Sequence, residues 1–202
     1  MQTVFSYEPD KKALKINKSE IYRYMGYKKG ASVSEKVDSE VDEILTKVLA
    51  QSTPKVCYKR FTLDFSEGID FGGFCIHSKD LAVNLNGCKE AVIFAATIGL
   101  YTDMQIRKET LLSPYRACIF QAVGAAVVEA VCDEFNGWLK EAEEKEGNIV
   151  KPRFSPGYGD VSLDVQKDIF RELDCTKAIG ITLTDSLLMI PEKSVTAIIG
   201  IR

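Results

Sequence analysis

One stretch limits what this chain can fold into more than any other. Residues 115–145 carry a single helical pattern, opened by Pro114 and closed off by Gly147. Proline suits a first helical turn because the N–H it lacks would have no partner there. Tyr115 to about Lys145 would form a rod of roughly 45 Å at 1.5 Å per residue. From Ala117 to Cys132 the pattern is apolar nearly all round, so the helix is expected inside the domain. Within that run stand Gln121 and Glu129, with Asp133 one turn beyond Glu129. A buried carboxylate is costly unless it meets a donor or a counter-charge. Glu129 therefore needs a partner, either an internal hydrogen-bond network or the cationic group of a ligand. The acidic end, Glu141 to Gly147, reads as a solvated tail and loop.

The remaining elements must pack around that rod. Alternation over Ala13-Leu14-Lys15-Ile16 suggests a short strand. Residues 19–25 read as a short helix stopped by Gly26. Ser32-Val33-Ser34-Glu35 offers a capping box for a helix whose apolar residues Val37, Val41, Ile44, Leu45, Val48 and Leu49 share one face, ending at Pro54. Residues 56–63 and 71–76 have strand composition, with a turn at Glu67-Gly68 between them. Ser78 caps a short helix over residues 79–86, closed by Gly87. The continuous apolar run 91–98 suits a strand buried on both faces. Tyr101 to Leu112 follows as a helix. Its Asp103 and Arg107, four apart, form either an exposed ion pair or a polar pair beside a cleft. Later, Asp160 or Ser162 caps a helix through Leu173. Segments 181–184, 187–190 and 194–201 read as strands, with Pro191-Glu192-Lys193 as a hairpin turn. Without a regular βαβ alternation, the expectation is one α+β domain over residues 1–202, its sheet antiparallel or mixed around a long buried helix. Residues 1–55 would form an N-terminal helical portion and 56–202 the core.

Composition narrows the function classes. Hydrophobic residues make up 46%, charged residues 27%, and the formal net charge is −3, which gives no support for nucleic-acid binding. No apolar run approaches the ~20 residues that span a bilayer, so no membrane-spanning helix is expected. The start, Met1-Gln2-Thr3-Val4, lacks the pattern of a secretion signal, so a cytoplasmic location is the expectation. Six cysteines without a CxxC pair, beside the lone His77, give no metal-ligand spacing, and the cysteines, Cys118 and Cys132 included, are expected in the core. The P-loop, HExxH, GxSxG and GxGxxG signatures are absent, and one histidine leaves little material for a catalytic triad. No catalytic residue is assigned.

After the long helix comes Arg153-Phe154-Ser155-Pro156-Gly157-Tyr158-Gly159-Asp160. Arginine offers a planar fork of donors, proline fixes one turn angle, and glycines let backbone approach closely. Such a loop can hold a small molecule bearing a carboxylate. Arg153 to Tyr158 resembles the RxxPGY motif of the activation (reactivation) domain of cobalamin-dependent methionine synthase. Ile181 to Pro191 is similar to that family's L-T-[ED]-S-x-x-M-x-P segment, and Ser194-Val195-Thr196 to its small-Val-small step. Val128-Glu129-Ala130 resembles a step in the family's corresponding helix. These matches span residues 115–201, and the chain as a whole looks like a standalone form of the domain.

The resemblance implies an accessory domain rather than an independent enzyme. It implies a groove for S-adenosylmethionine, whose methyl group goes to cobalamin carried by a partner methionine synthase subunit, with the electron supplied by a flavodoxin-like donor. Carried over by position, Arg153 would bind the methionine carboxylate and Glu129 the ammonium. Tyr158 and the Gly157 backbone would pack near the sulfonium and adenosyl group. Asp103 or Tyr101 is the candidate to substitute for two gripping segments of the family that find no counterpart here. The alternative implied by those missing segments is a scaffold of the same fold that docks on a corrinoid protein without binding S-adenosylmethionine.

Overall fold

The computed structural model describes residues 3–202; Met1 and Gln2, where the reading for a secretion signal began, lie outside the described residues. The first half contains β1 (Phe5–Tyr7), α1 (Lys18–Tyr24), α2 (Glu35–Gln51), β2 (Lys55–Thr62), β3 (Ile69–Asp70), β4 (Cys75–Ile76) and α3 (Lys79–Asn84). Then come β5 (Glu90–Thr97), α4 (Tyr101–Leu112) and α5 (Pro114–Lys145). The chain closes with α6 (Val165–Leu173), α7 (Cys175–Ile179), β6 (Thr182–Leu183), β7 (Met189–Ile190) and β8 (Ser194–Ile201).

The main sheet has the order β1-β2-β5-β8, every neighbouring pair antiparallel. β5 is its buried centre. Val92, Phe94 and Ala96 point into one layer, while Ala91, Ile93 and Ala95 point into the other. That double burial explains why the strand reads as an unbroken apolar run. The first layer holds α1, α2 and α5, with α4 laid against α5. Gly124 permits that approach, since a Cβ there would come within 2.7 Å of Thr102 Cγ2. α3, α6 and α7 cover the opposite face. Against expectation, α5 is by length and composition long and apolar enough to cross a membrane, but 67% of its most apolar 18-residue stretch is buried. Its apolar surface faces protein.

Several local expectations change. The N-cap of α2 is Ser34, whose Oγ accepts from Val37 N at 3.4 Å, so the helix starts after the second serine rather than the first. Residues 13–16 form no strand; Leu14 and Ile16 instead tuck against the helical layer, and the edge strand is β1. Residues 71–76 yield only the two-residue β4, because the chain turns at Gly72, whose N–H donates to Asp70 Oδ1 at 2.8 Å. Pro191 to Lys193 is no hairpin turn. β7 pairs with β6, β8 pairs with β5, and these residues carry the chain from one sheet to the other. Cys118 and Cys75 are exposed, while the other four cysteines are buried. Fourteen residues at 3.6 per turn leave Cys118 about 40° off the face that buries Cys132. Glu143, expected in a solvated tail, is buried and bonded to Arg60.

Candidate functional site

β8 forms the sheet's outer edge, and it is only half covered. Residues 149–154 run along it, with Phe154 and Ile198 exchanging both backbone hydrogen bonds at 2.8 Å. The chain then turns away at Ser155-Pro156, so that Ser194 to Thr196 pair with β5 on their inner side and have no strand on their outer side. The result is a recess of about 480 Å³ between α5, the departing loop and α6. An adjoining recess of about 420 Å³ shares Glu129 and Tyr158 with it and reaches Arg23 and Tyr24 of α1. Together they make one groove along the polar stripe of α5.

Arg153 stands at the junction. One terminal nitrogen donates to Glu129 Oε2 at 2.5 Å and the other to Asp133 Oδ1 at 2.6 Å. The two acids sit one turn apart on α5, so a single planar guanidinium reaches both. Burial works against the charge on Arg153, but Asp133 and Glu129 outweigh it and push its pKa up. Glu129 is not enclosed as its neighbours on α5 are. Its side chain is 43% exposed and that of Asp133 69%, against 22% for Arg153. The partner that Glu129 required is therefore internal, but it faces the groove.

The loop's shape follows from its own bonds. Tyr158 N–H donates to Ser155 O at 3.2 Å and Val161 N–H to Tyr158 O at 3.1 Å, two successive turns that hold Tyr158 outward, 72% exposed, over both recesses. Gly157, expected to meet a ligand through its backbone, lies outside the groove lining. Its φ is +89° and its N–H donates to Val161 O at 2.8 Å, so it serves the turn. Asp160 does not cap α6. Its carboxylate takes the Ser78 hydroxyl, Lys79 N–H at 2.8 Å and Asp80 N–H at 3.3 Å, capping α3 and fastening the loop's far end. Those bonds, with the Ser78 hydroxyl first, hold its carboxyl below the usual range.

Asp103 is not brought to this site. It is 5% exposed, forms no ion pair with Arg107 among the described residues, and accepts Glu192 N–H at 2.7 Å, propping the crossing into β8. Burial raises its pKa. Sequence reasoning had placed Asp133 one turn after Glu129 without giving it a role, although that spacing already marks a possible two-acid grip. It missed Gln166 and Thr196, which line the recess. Gln166 shares the stripe of Ile169 and Leu173 on α6, and a polar residue on an apolar stripe was its signal.

Fold and site together define a class: a small antiparallel sheet between helical layers, with a ligand-sized groove at its open edge and one arginine clamped there by two acids. The chain belongs to the family of the vitamin B12 dependent methionine synthase activation domain, whose sequence profile matches residues 81–201, more than half of its length. Among solved structures it is similar to a crystal structure of the MetH reactivation domain bound to AdoHcy. The TM-score is 0.69 at 16% identity, covering 98% of this chain and 78% of that one, a likeness of fold. A comparison with curated proteins finds no match.

Proposed function

We propose that the groove binds S-adenosylmethionine and presents its methyl group to cobalamin held by a separate cobalamin-dependent methionine synthase. The observation that carries this reading is the Arg153–Glu129–Asp133 cluster in the groove. An amino-acid zwitterion inserted there exchanges one internal ion pair for two, its carboxylate on the Arg153 fork and its ammonium on the released acid. One guanidinium against two carboxylates leaves a net negative charge, and S-adenosylmethionine carries a net positive one. The exposed Tyr158 ring adds an aromatic face suited to a sulfonium. The relative of the same fold was crystallised with AdoHcy, the demethylated form of that ligand.

The methyl transfer belongs to the sulfonium and to cobalt. On the partner, cob(II)alamin together with one electron from a flavodoxin-like donor would supply the methyl acceptor, and the ligand left in the groove would be S-adenosylhomocysteine. The chain's own share is to hold and aim the ligand. Calorimetric titration should show one site for S-adenosylmethionine. Mixing the protein with a cob(II)alamin-loaded synthase, reductant and S-adenosylmethionine should bring up the methylcobalamin spectrum; no binding and no spectral change would reject the reading. One observation favours a second reading, a corrinoid-docking scaffold that binds no S-adenosylmethionine: Arg153 is already paired with both Glu129 and Asp133. Binding to the synthase without affinity for the sulfonium would support that alternative.

A further inference from the structure

Two buried polar atoms in the recess have no hydrogen-bond partner among the described residues: Gln166 Oε1 and Thr196 Oγ1. Gln166 is 5% exposed and Thr196 2%. Both line the same recess as Arg153. They reach it from different elements, the first turn of α6 and the uncovered end of β8. Neither oxygen bonds to any group of the fold among the described residues. A leucine at 166 would continue the apolar stripe with Ile169 and Leu173, and burying an unpaired amide oxygen is unfavourable. A polar side chain kept at such a cost implies a partner that arrives from outside. Apolar walls flank the pair, from Val195, Met189, Phe154 and Pro156.

A slot with apolar faces, an amide acceptor and a hydroxyl suits the edge of a planar heteroaromatic base. We propose that Gln166 and Thr196 form the base-reading end of the groove and select a 6-aminopurine over a 6-oxopurine. The exocyclic amine donates to Gln166 Oε1, and the Thr196 hydroxyl donates to a neighbouring ring nitrogen. With the Gln166 amide oriented as it is in the structure, a 6-oxo group would instead set one acceptor against another. This inference rests on the S-adenosylmethionine reading and adds which end of the groove meets the adenine.

The test is equilibrium binding of S-adenosylhomocysteine and its deaminated analogue S-inosylhomocysteine to the wild type, Gln166→Met, Thr196→Val and Arg153→Ala. Wild type should prefer the adenosyl ligand by about tenfold or more, the usual worth of a hydrogen bond exchanged for an unpaired polar group. Gln166→Met should bring the ratio to within about twofold, and Thr196→Val should narrow it partway. Arg153→Ala should weaken both ligands alike and keep the ratio. Thermal unfolding without ligand supplies a second readout: Gln166→Met should melt at the same temperature as wild type or higher. A ratio unchanged in Gln166→Met overturns the base-reading role and leaves the proposed function standing. A lowered melting temperature, marking the amide as structural, overturns it too. If wild type binds neither ligand, both readings fall.

Discussion

Two of the arginine–carboxylate clusters on α5 differ in their surroundings, and the difference separates a structural clasp from a candidate binding clasp. Near the helix's end, Arg60 of β2 bonds Glu143, whose side chain is 7% exposed, and reaches Glu90 at 2.8 Å. The second oxygen of Glu143 takes Asn148 Nδ2 at 2.9 Å. Every partner there belongs to the fold, and exchanging one would strand a buried carboxylate. In the other cluster Arg153 is the more buried partner, while its two acids are 43% and 69% exposed and open to the groove. A wet carboxylate can release its arginine to a ligand at little cost, because water takes up the freed charge. Enclosure, rather than ion-pair chemistry, decides which cluster can exchange partners.

Substitutions sharpen the contrast. Glu143→Ala should lower unfolding free energy by about 3 kcal/mol, the lower range for breaking a buried pair, as read by urea denaturation, with ligand affinity unchanged. Arg153→Ala should do the reverse: affinity for S-adenosylmethionine falls by about 1.5–3 kcal/mol while stability moves by less than about 1 kcal/mol. Asp103, buried like Glu143 but without a close ion pair among the described residues, has its pKa raised by burial, which outweighs Lys193 and Arg107. A raised carboxyl favours the folded state when protonated, so its contribution falls as pH rises through the folded value. Asp103→Asn keeps an acceptor for Glu192 N–H and should remove that slope, with a net change below about 1 kcal/mol at neutral pH. The effect at Asp160 should be smallest and opposite in sign. Its depressed carboxyl contributes stability above the ordinary pKa of about 4 and loses it as pH falls through the lower folded value. Hydrogen exchange at the first amides of α3 should speed up in that acid range in wild type and be fast at all pH in Asp160→Ala.

Much of this was legible in the chain. The long helix, the doubly buried β5 and the amphipathic α2 follow from unbroken or 3.6-residue apolar patterns, which short-range sterics and burial enforce together. What failed was set by distant partners. Glu143 looked solvated because Arg60 is 83 residues away, and Asp160 looked like a cap for the helix after it, whereas its carboxylate caps α3. The role of β8 could not be read locally either, since its partner β5 lies across the long helix in sequence. For the site, the motif located Arg153 and Tyr158, and Glu129 announced itself as an acid in an apolar run. Asp103 misled because polarity near a strand end is visible in sequence, but the direction in which it is buried is not. Gln166 and Thr196 needed the packed structure to show that nothing satisfies them.

Calorimetric titration of S-adenosylmethionine and S-adenosylhomocysteine into wild type and Arg153→Ala shows whether the Arg153 cluster exchanges its acids for a cationic amino-acid ligand. Wild type should have one site, tighter for the positively charged S-adenosylmethionine, and Arg153→Ala should bind that ligand roughly 10–150-fold more weakly. Equal affinity in the two proteins, or no heat of binding in wild type, would rule the exchangeable clasp out.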